Sequence, residues 1–197
     1  MSDQLVLTGV PAPHRTLPEA LVALQQSDPG GLDAWAIGVA SDAASGAGGA
    51  GPNPRLPLSL HDLRLLSESV GAGEVELSPP EFERLIACTG LAMGLDVRRK
   101  LTVGKTIYGR DREVDVLLRH SPSGNRLAVE AKYQRVKGTA DEKLPYAVLN
   151  QETLPLPSVI VYGGGGFHTG ALHWLCANAR ATDIAGLQEW LTVFFAL

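Results

Sequence analysis

Five residues, Ser121-Pro122-Ser123-Gly124-Asn125, separate two β-rich runs and constrain the fold more than any other stretch. This turn chemistry predicts that Arg112 to Arg119 and Arg126 to Lys132 pair as an antiparallel hairpin. Arg98 to Val103 reads as a strand before the hairpin, joined to it by a loop with Gly104 and Gly109. Upstream, Ser78 is an expected N-cap, with Pro79 and Pro80 tolerated in the first turn and Glu81 favoured by the helix dipole. Phe82, Leu85, Ile86 and Met93 fall on one face of that helix, which puts Glu83 at the flank of the buried stripe.

Beyond the hairpin, Thr139-Ala140-Asp141-Glu142 reads as a capping box opening a helix to about Asn150, distorted at Pro145. Ser158 to Tyr162 is a further strand, and Gly170 to Ala179 and Gly186 to Phe195 are helices. Gly163 to Gly166 invites a phosphate-loop reading, but Phe167-His168-Thr169-Gly170 lacks the Gly-Lys-Ser/Thr such a loop needs, so a tight strand-to-helix connection is expected. From residue 78 onward the order is therefore helix, three strands, helix, strand, helix, helix.

The earlier residues are less regular. Leu5-Val6-Leu7 reads as an edge strand, Thr16-Leu17-Pro18-Glu19 as a capping box for a helix to about Gln26, and Leu32 to Ala40 as a strand. Residues 41 to 57, dominated by Gly, Ala and Pro, read as a flexible loop, and Ser59 caps a helix over 60 to 70. The expected division is an N-terminal extension, residues 1–77, and a domain over 78–197. No stretch reaches the roughly eighteen apolar residues of a membrane span, so a soluble, cytoplasmic protein is expected. Cys88 and Cys176 fit no zinc spacing and are expected to be buried free thiols, while Trp35, Trp174 and Trp190 are expected core residues.

A net charge of -4 argues little against a nucleic-acid partner, because the charge is unevenly spread. Residues 98–143 hold 12 of the 17 basic residues and 6 of the 21 acids, a local balance of +6 against -10 elsewhere. Arg98, Arg99, Lys100, Lys105, Arg110 and Arg112 fall on or between the first two strands, where they are placed to follow a phosphate backbone.

Alternation along a strand puts Asp115 on one side with Glu113 and Leu117, with Val114, Val116 and Leu118 on the apolar side. Glu130, Lys132 and Gln134 likewise share one side, with Val129 and Ala131 on the other. If the polar sides of the hairpin coincide, Asp115 and Glu130 meet at a sheet edge with Lys132 one step along. Two carboxylates so placed repel unless a cation sits between them, and oxygen ligands suit magnesium. Such a pair beside a lysine fits phosphodiester hydrolysis, in which a metal polarises the phosphoryl oxygen and the lysine orients the attacking water. An ordinary ion pair of Glu130 with Lys132, or of Asp115 with Arg112 or Arg119, is the simpler alternative.

Glu83 on the helix, Asp115 on the second strand and Glu130-Ala131-Lys132 on the third resemble the PD-(D/E)XK nuclease superfamily, the restriction-endonuclease-like fold. Its core of helix, three strands, helix and strand looks like residues 78–162, and Val114 stands where the family name has proline. The resemblance implies an α/β fold with a mixed central sheet flanked by helices, and a metal-dependent DNA endonuclease, restriction-type, leaving 5'-phosphate ends. It implies Mg2+, with Mn2+ as a substitute, bound by Asp115, Glu130, the backbone carbonyl of Ala131 and, through water, Glu83. Lys132 would position the water. Tyr133, Gln134, Lys143 and Tyr146 look like the polar residues that line the cleft in restriction-type members. A double-strand cut by so small a chain would call for a homodimer. The alternatives are a structure-selective or nonspecific repair or phage nuclease, and a catalytically silent nucleic-acid-binding module on the same fold.

Overall fold

Three reciprocal caps start the first three helices of the computed structural model, which describes residues 15–27 and 57–197. The N–H and hydroxyl of Thr16 both donate to Glu19 at 2.8 Å, opening α1, Leu17–Gln26. Ser59 N–H donates to Asp62 at 2.9 Å and Ser59 Oγ accepts from Asp62 N–H at 3.2 Å, opening α2, Leu60–Gly71. Ser78 does the same work through Glu81, with both bonds at 2.7 Å, opening α3, Pro79–Ala92. Each cap satisfies N–H groups that a helix start leaves without partners. The strands expected at 5–7 and 32–40, Trp35, and residues 41–56 of the Gly/Ala/Pro-rich loop lie outside the described residues.

Three strands follow: β1, Asp96–Lys105, β2, Asp111–Arg119, and β3, Arg126–Tyr133. A 3-10 turn, Thr139–Lys143, then leads into α4, Leu144–Glu152. Here the structure corrects the expected helix from Thr139. Pro145 lacks the N–H a helix interior requires, so the α-helix begins beside it and Pro145 occupies its first turn. The chain finishes with β4, Ser158–Gly163, α5, Thr169–Asn178, a short β5, Ala181–Asp183, and α6, Leu187–Phe195. β5 was not expected from sequence, since three residues carry no readable alternation.

The result is a mixed α/β fold around a five-stranded sheet in the order β1-β2-β3-β4-β5. β1, β2 and β3 are antiparallel neighbours, as the Ser121–Asn125 turn predicts, and β3, β4 and β5 run parallel. On one face, Val116, Leu118, Leu127 and Val129 pack with Phe82, Leu85 and Ile86 of α3, and Leu24, Leu63 and Leu66 of α1 and α2 join the same core. On the other, Ile160 packs with Leu144, Ala147 and Val148 of α4 and Leu175 of α5. Burying these apolar side chains supplies the main stabilisation, about 1.5–3 kcal/mol for each large one.

The tetraglycine Gly163–Gly166 is a place of close backbone approach. Gln134 N–H donates to Gly163 O at 3.1 Å, and Gly166 N–H returns to Gln134 O at 2.9 Å. A Cβ on Gly164, whose φ is +85°, would lie 2.3 Å from Gln134 O. Two expectations about burial are corrected: Cys176 is exposed while Cys88 is buried, and Trp174 on α5 is exposed while Trp190 packs against the main core. Among the described residues no helix is long and apolar enough to cross a membrane.

Candidate active site

β2 and β3 pair only as far as Val116 opposite Val129, while β3 continues along β4 to Tyr133. The two strands therefore fork at Asp115 and Glu130. The fork lies between the second and third of the five strands, inside the sheet and not at an outer edge. The Asp115 side chain fills the broken ladder: its Oδ2 accepts from Ala131 N–H at 2.8 Å. A hydrogen bond to a charged group of this kind contributes about 1.5–3 kcal/mol.

β1 and β2 lose their alternation at this level. Val97 and Val116 face the α3 side, yet Leu101 and Val114, two partners further along, pack on the opposite face with Leu117 and Ala128. The slip coincides with Lys100, whose φ of +52° is a left-handed conformation rare for a side-chain-bearing residue. Val114 thus belongs to a different apolar group from Val116 and Leu118, which corrects the single apolar side expected for β2. Arg99 and Lys100 consequently both reach α3, where Arg99 meets Glu83 at 3.2 Å.

The Lys100 ammonium stands between two carboxylates, 2.8 Å from Glu83 and 2.7 Å from Asp115. Burial by itself would lower its pKa, but the hydrogen bonds to Asp115 and Glu83 outweigh burial and hold it above the ordinary lysine value. Glu130 leaves β3 on the α4 side, where it pairs with Lys132 at 2.6 Å and with Arg112 at 3.5 Å. The Arg112 guanidinium is buried, 5% exposed, and also donates to Asn150 O on α4. Asp115 and Glu130 thus have different partners, Asp115 the Ala131 N–H and Lys100, Glu130 the Lys132 ammonium and Arg112, and both border the Glu130-Ala131 peptide.

A cleft of about 440 Å³ opens on the α4 side, lined by Arg112, Glu130, Lys132, Lys143 and Tyr146 among others. Gln134 is not brought there. It is 7% exposed and its amide donates to Gly166 O at 3.2 Å, because β3 ends at Tyr133 and the chain turns onto the glycines. Tyr133 also turns away, packing on Phe82 with ring centroids 5.1 Å apart and planes tilted by 33°, and accepting from Leu77 N–H at 2.8 Å. Of the basic residues named from sequence, Arg110 and Lys143 are exposed, Lys105 pairs with Asp111, Arg98 is half-buried on β1, and Arg99, Lys100 and Arg112 engage the carboxylates. Sequence reading missed the inward roles of Lys100 and Arg112. Lys100 lies across from Asp115, between the Arg99–Val116 and Leu101–Val114 pairs, and that position is its only sequence signal; Arg112, beyond the paired part of β2 and β3, has none.

Among the described residues no three His, Cys, Asp or Glu side chains cluster as a metal-binding group. The donor set nonetheless suits a hard divalent cation: carboxylates from adjacent strands border one peptide unit, and an ammonium already bridges Glu83 and Asp115 as a cation would.

Two solved structures are similar to the chain. One, a protein of unknown function, AF1548, is 16% identical with a TM-score of 0.35, over 46% of this chain and 50% of its own. The other, protein VC1899 from Vibrio cholerae, is 13% identical with a TM-score of 0.38, over 93% of this chain and 58% of its own. The chain thus spans half the length of the first and 58% of the second. No curated protein matches it. The family model for the PD-(D/E)XK nuclease superfamily domain matches residues 69–194, which include α3, the whole sheet and the fork with Glu83, Asp115, Glu130 and Lys132. The chain belongs to the PD-(D/E)XK nuclease superfamily.

Proposed function

We propose that the protein is a divalent-metal-dependent deoxyribonuclease that hydrolyses phosphodiester bonds at the β2/β3 fork, as a cytoplasmic restriction-type endonuclease acting as a homodimer. The observation that carries this reading is the fork itself, where Asp115 and the Glu130-Ala131-Lys132 run meet through the Asp115 to Ala131 N–H bond of 2.8 Å. Asp115, Glu130 and the Ala131 carbonyl would hold Mg2+ or Mn2+, with Glu83 assisting through water. The cation would supply Lewis-acid polarisation of the phosphoryl oxygen.

The chain's own residues do the rest. Lys132, paired with Glu130 in this structure, would orient the attacking water and offset charge developing on the phosphate, which stays on the 5' end of the downstream fragment. Arg112, held by Asn150 O, fixes Glu130 from within the protein. Lys143, at the exposed rim of the cleft, contacts the backbone phosphates. A second reading, a binding module without cleavage, is favoured by Lys100, whose ammonium already neutralises Glu83 and Asp115.

Supercoiled plasmid incubated with Mg2+, Mn2+ or EDTA separates the two. Wild type is expected to nick DNA only with a divalent ion, and Asp115→Asn and Lys132→Ala are each expected to lose about a hundredfold or more in rate while keeping their circular dichroism. Full activity in either variant sinks the mechanism. DNA binding without cleavage under any metal supports the silent module.

A further inference from the structure

Tyr108 is 73% exposed at the tip of the β1–β2 hairpin, an unusual position for an aromatic ring unless its face has a partner. One face already has one. Its ring stacks on Tyr146 of α4, with centroids 5.8 Å apart and planes 18° from parallel.

The tip is fixed to α4. Ile107 N–H donates to Asn150 Oδ1 at 3.1 Å, Thr153 Oγ1 donates to Lys105 O at 3.3 Å, and Arg112 donates to Asn150 O. The turn is closed by Gly109 N–H to Thr106 O and by Thr106 N–H to Arg110 O, both at 2.8 Å. Tyr108 is thus presented by an anchored hairpin, with little ordering left to lose on binding. Tyr146 lines the same cleft as Glu130 and Lys132, and so does Thr106 at the base of the turn, which puts the Tyr108–Tyr146 pair at the rim of the candidate active site. Arg110, two residues after Tyr108, and Lys143, three before Tyr146, are exposed and make no ion pair among the described residues.

We propose that the Tyr108–Tyr146 stack is a platform for an unpaired nucleotide base, so that the site takes single-stranded nucleic acid or a single-stranded end beside the scissile phosphate. This rests on the nuclease reading and narrows its substrate, favouring the structure-selective form of that reading over a restriction-type cut of an intact duplex. Every base has a π-face, and stacking on an aromatic side chain holds it without sequence readout. Inside a duplex both faces of each base are covered by neighbours, so away from its ends only an unpaired base can use the platform. The free cations match the charge of a strand whose phosphates run past the ring into the cleft.

The test is fluorescence anisotropy in EDTA, where no cleavage occurs, with a labelled oligothymidine and a duplex of equal length. Tyr108→Ala is expected to weaken single-strand binding about five- to a hundredfold, the range for losing one stacked base, and Tyr108→Phe to stay within about twofold. Duplex binding is expected to change by less than about twofold in both variants. A 2-aminopurine base in the single strand is expected to be quenched by wild type and Tyr108→Phe but not by Tyr108→Ala. Unchanged single-strand affinity in Tyr108→Ala, equal loss on single strand and duplex, or no single-strand binding by wild type each overturns the proposal. Because these measurements need no metal, a failure here leaves the plasmid assay to decide the nuclease reading separately.

Discussion

Replacing Gly164 by alanine tests the closest backbone contact behind the site. The residue has φ +85°, and its Cβ would lie 2.3 Å from Gln134 O, 2.9 Å from Gln134 C and 3.0 Å from a Tyr133 ring carbon. The left-handed conformation costs an L-residue about 1–2 kcal/mol. The overlap is with backbone, so it cannot be relieved by a rotamer change; overpacking of this kind adds about 1–3 kcal/mol. Two hydrogen bonds between the segments, Gln134 to Gly163 O and Gly166 to Gln134 O, would stretch in response. A loss of about 3 kcal/mol corresponds to a melting point lower by roughly 6–12 °C for a chain of this size. Gly165 is the internal control. It adjoins Gly164 in the same four-glycine run, yet a Cβ there meets nothing within 4 Å. Gly165→Ala is expected within about 0.5 kcal/mol of wild type. Thermal melts followed at 222 nm read both variants, and equal shifts, or a Gly164→Ala shift under about 1 °C, would refute the close-approach account.

Lys100→Met removes the ammonium that bridges Glu83 and Asp115, so Mn2+ affinity measured by titration calorimetry is expected to tighten about three- to tenfold; weaker binding would show that Lys100 supports the site instead of competing with the cation. Asp62 is buried in the α2 cap, where burial works to raise its pKa but hydrogen bonds with Ser59 and from Arg15 prevail and hold it below the ordinary value of 3.8. A depressed carboxyl stabilises the fold above its unfolded pKa and loses that contribution as pH falls through the folded one. Asp62→Asn is therefore expected to cost about 1–2 kcal/mol in urea melts at pH 7, with the gap narrowing as pH falls below the ordinary carboxyl range; a gap independent of pH would refute this linkage.

Much of the fold is written locally. The caps at Thr16, Ser59 and Ser78 and the Ser121–Asn125 turn with a strand on either side each act within a few residues, and each forms as read. The same reasoning overreached at Thr139, where Pro145 outweighed the cap, and was silent on β5, which exists only because β4 offers it a parallel edge. The residues that define the candidate site were nameable because carboxylates beside a lysine are costly in apolar strands, so Asp115, Glu130 and Lys132 stood out without coordinates.

Their geometry was not. Alternation assumes an unbroken strand, and the left-handed backbone at Lys100 breaks it, sending Arg99 and Lys100 together to Glu83 and Val114 to the far face. Gln134 was placed beside Lys132 by the same alternation, but β3 ends one residue earlier, and the glycines draw its amide into the protein. Arg112 reads as one more basic surface residue until α4 covers it and Asn150 O takes its guanidinium. Sequence alone determined which elements form, how the hairpin turns and which charged residues are out of place. Only the tertiary structure decided where those charges point, because a side chain's partner at a strand fork is set by packing from elements 15 to 38 residues away along the chain.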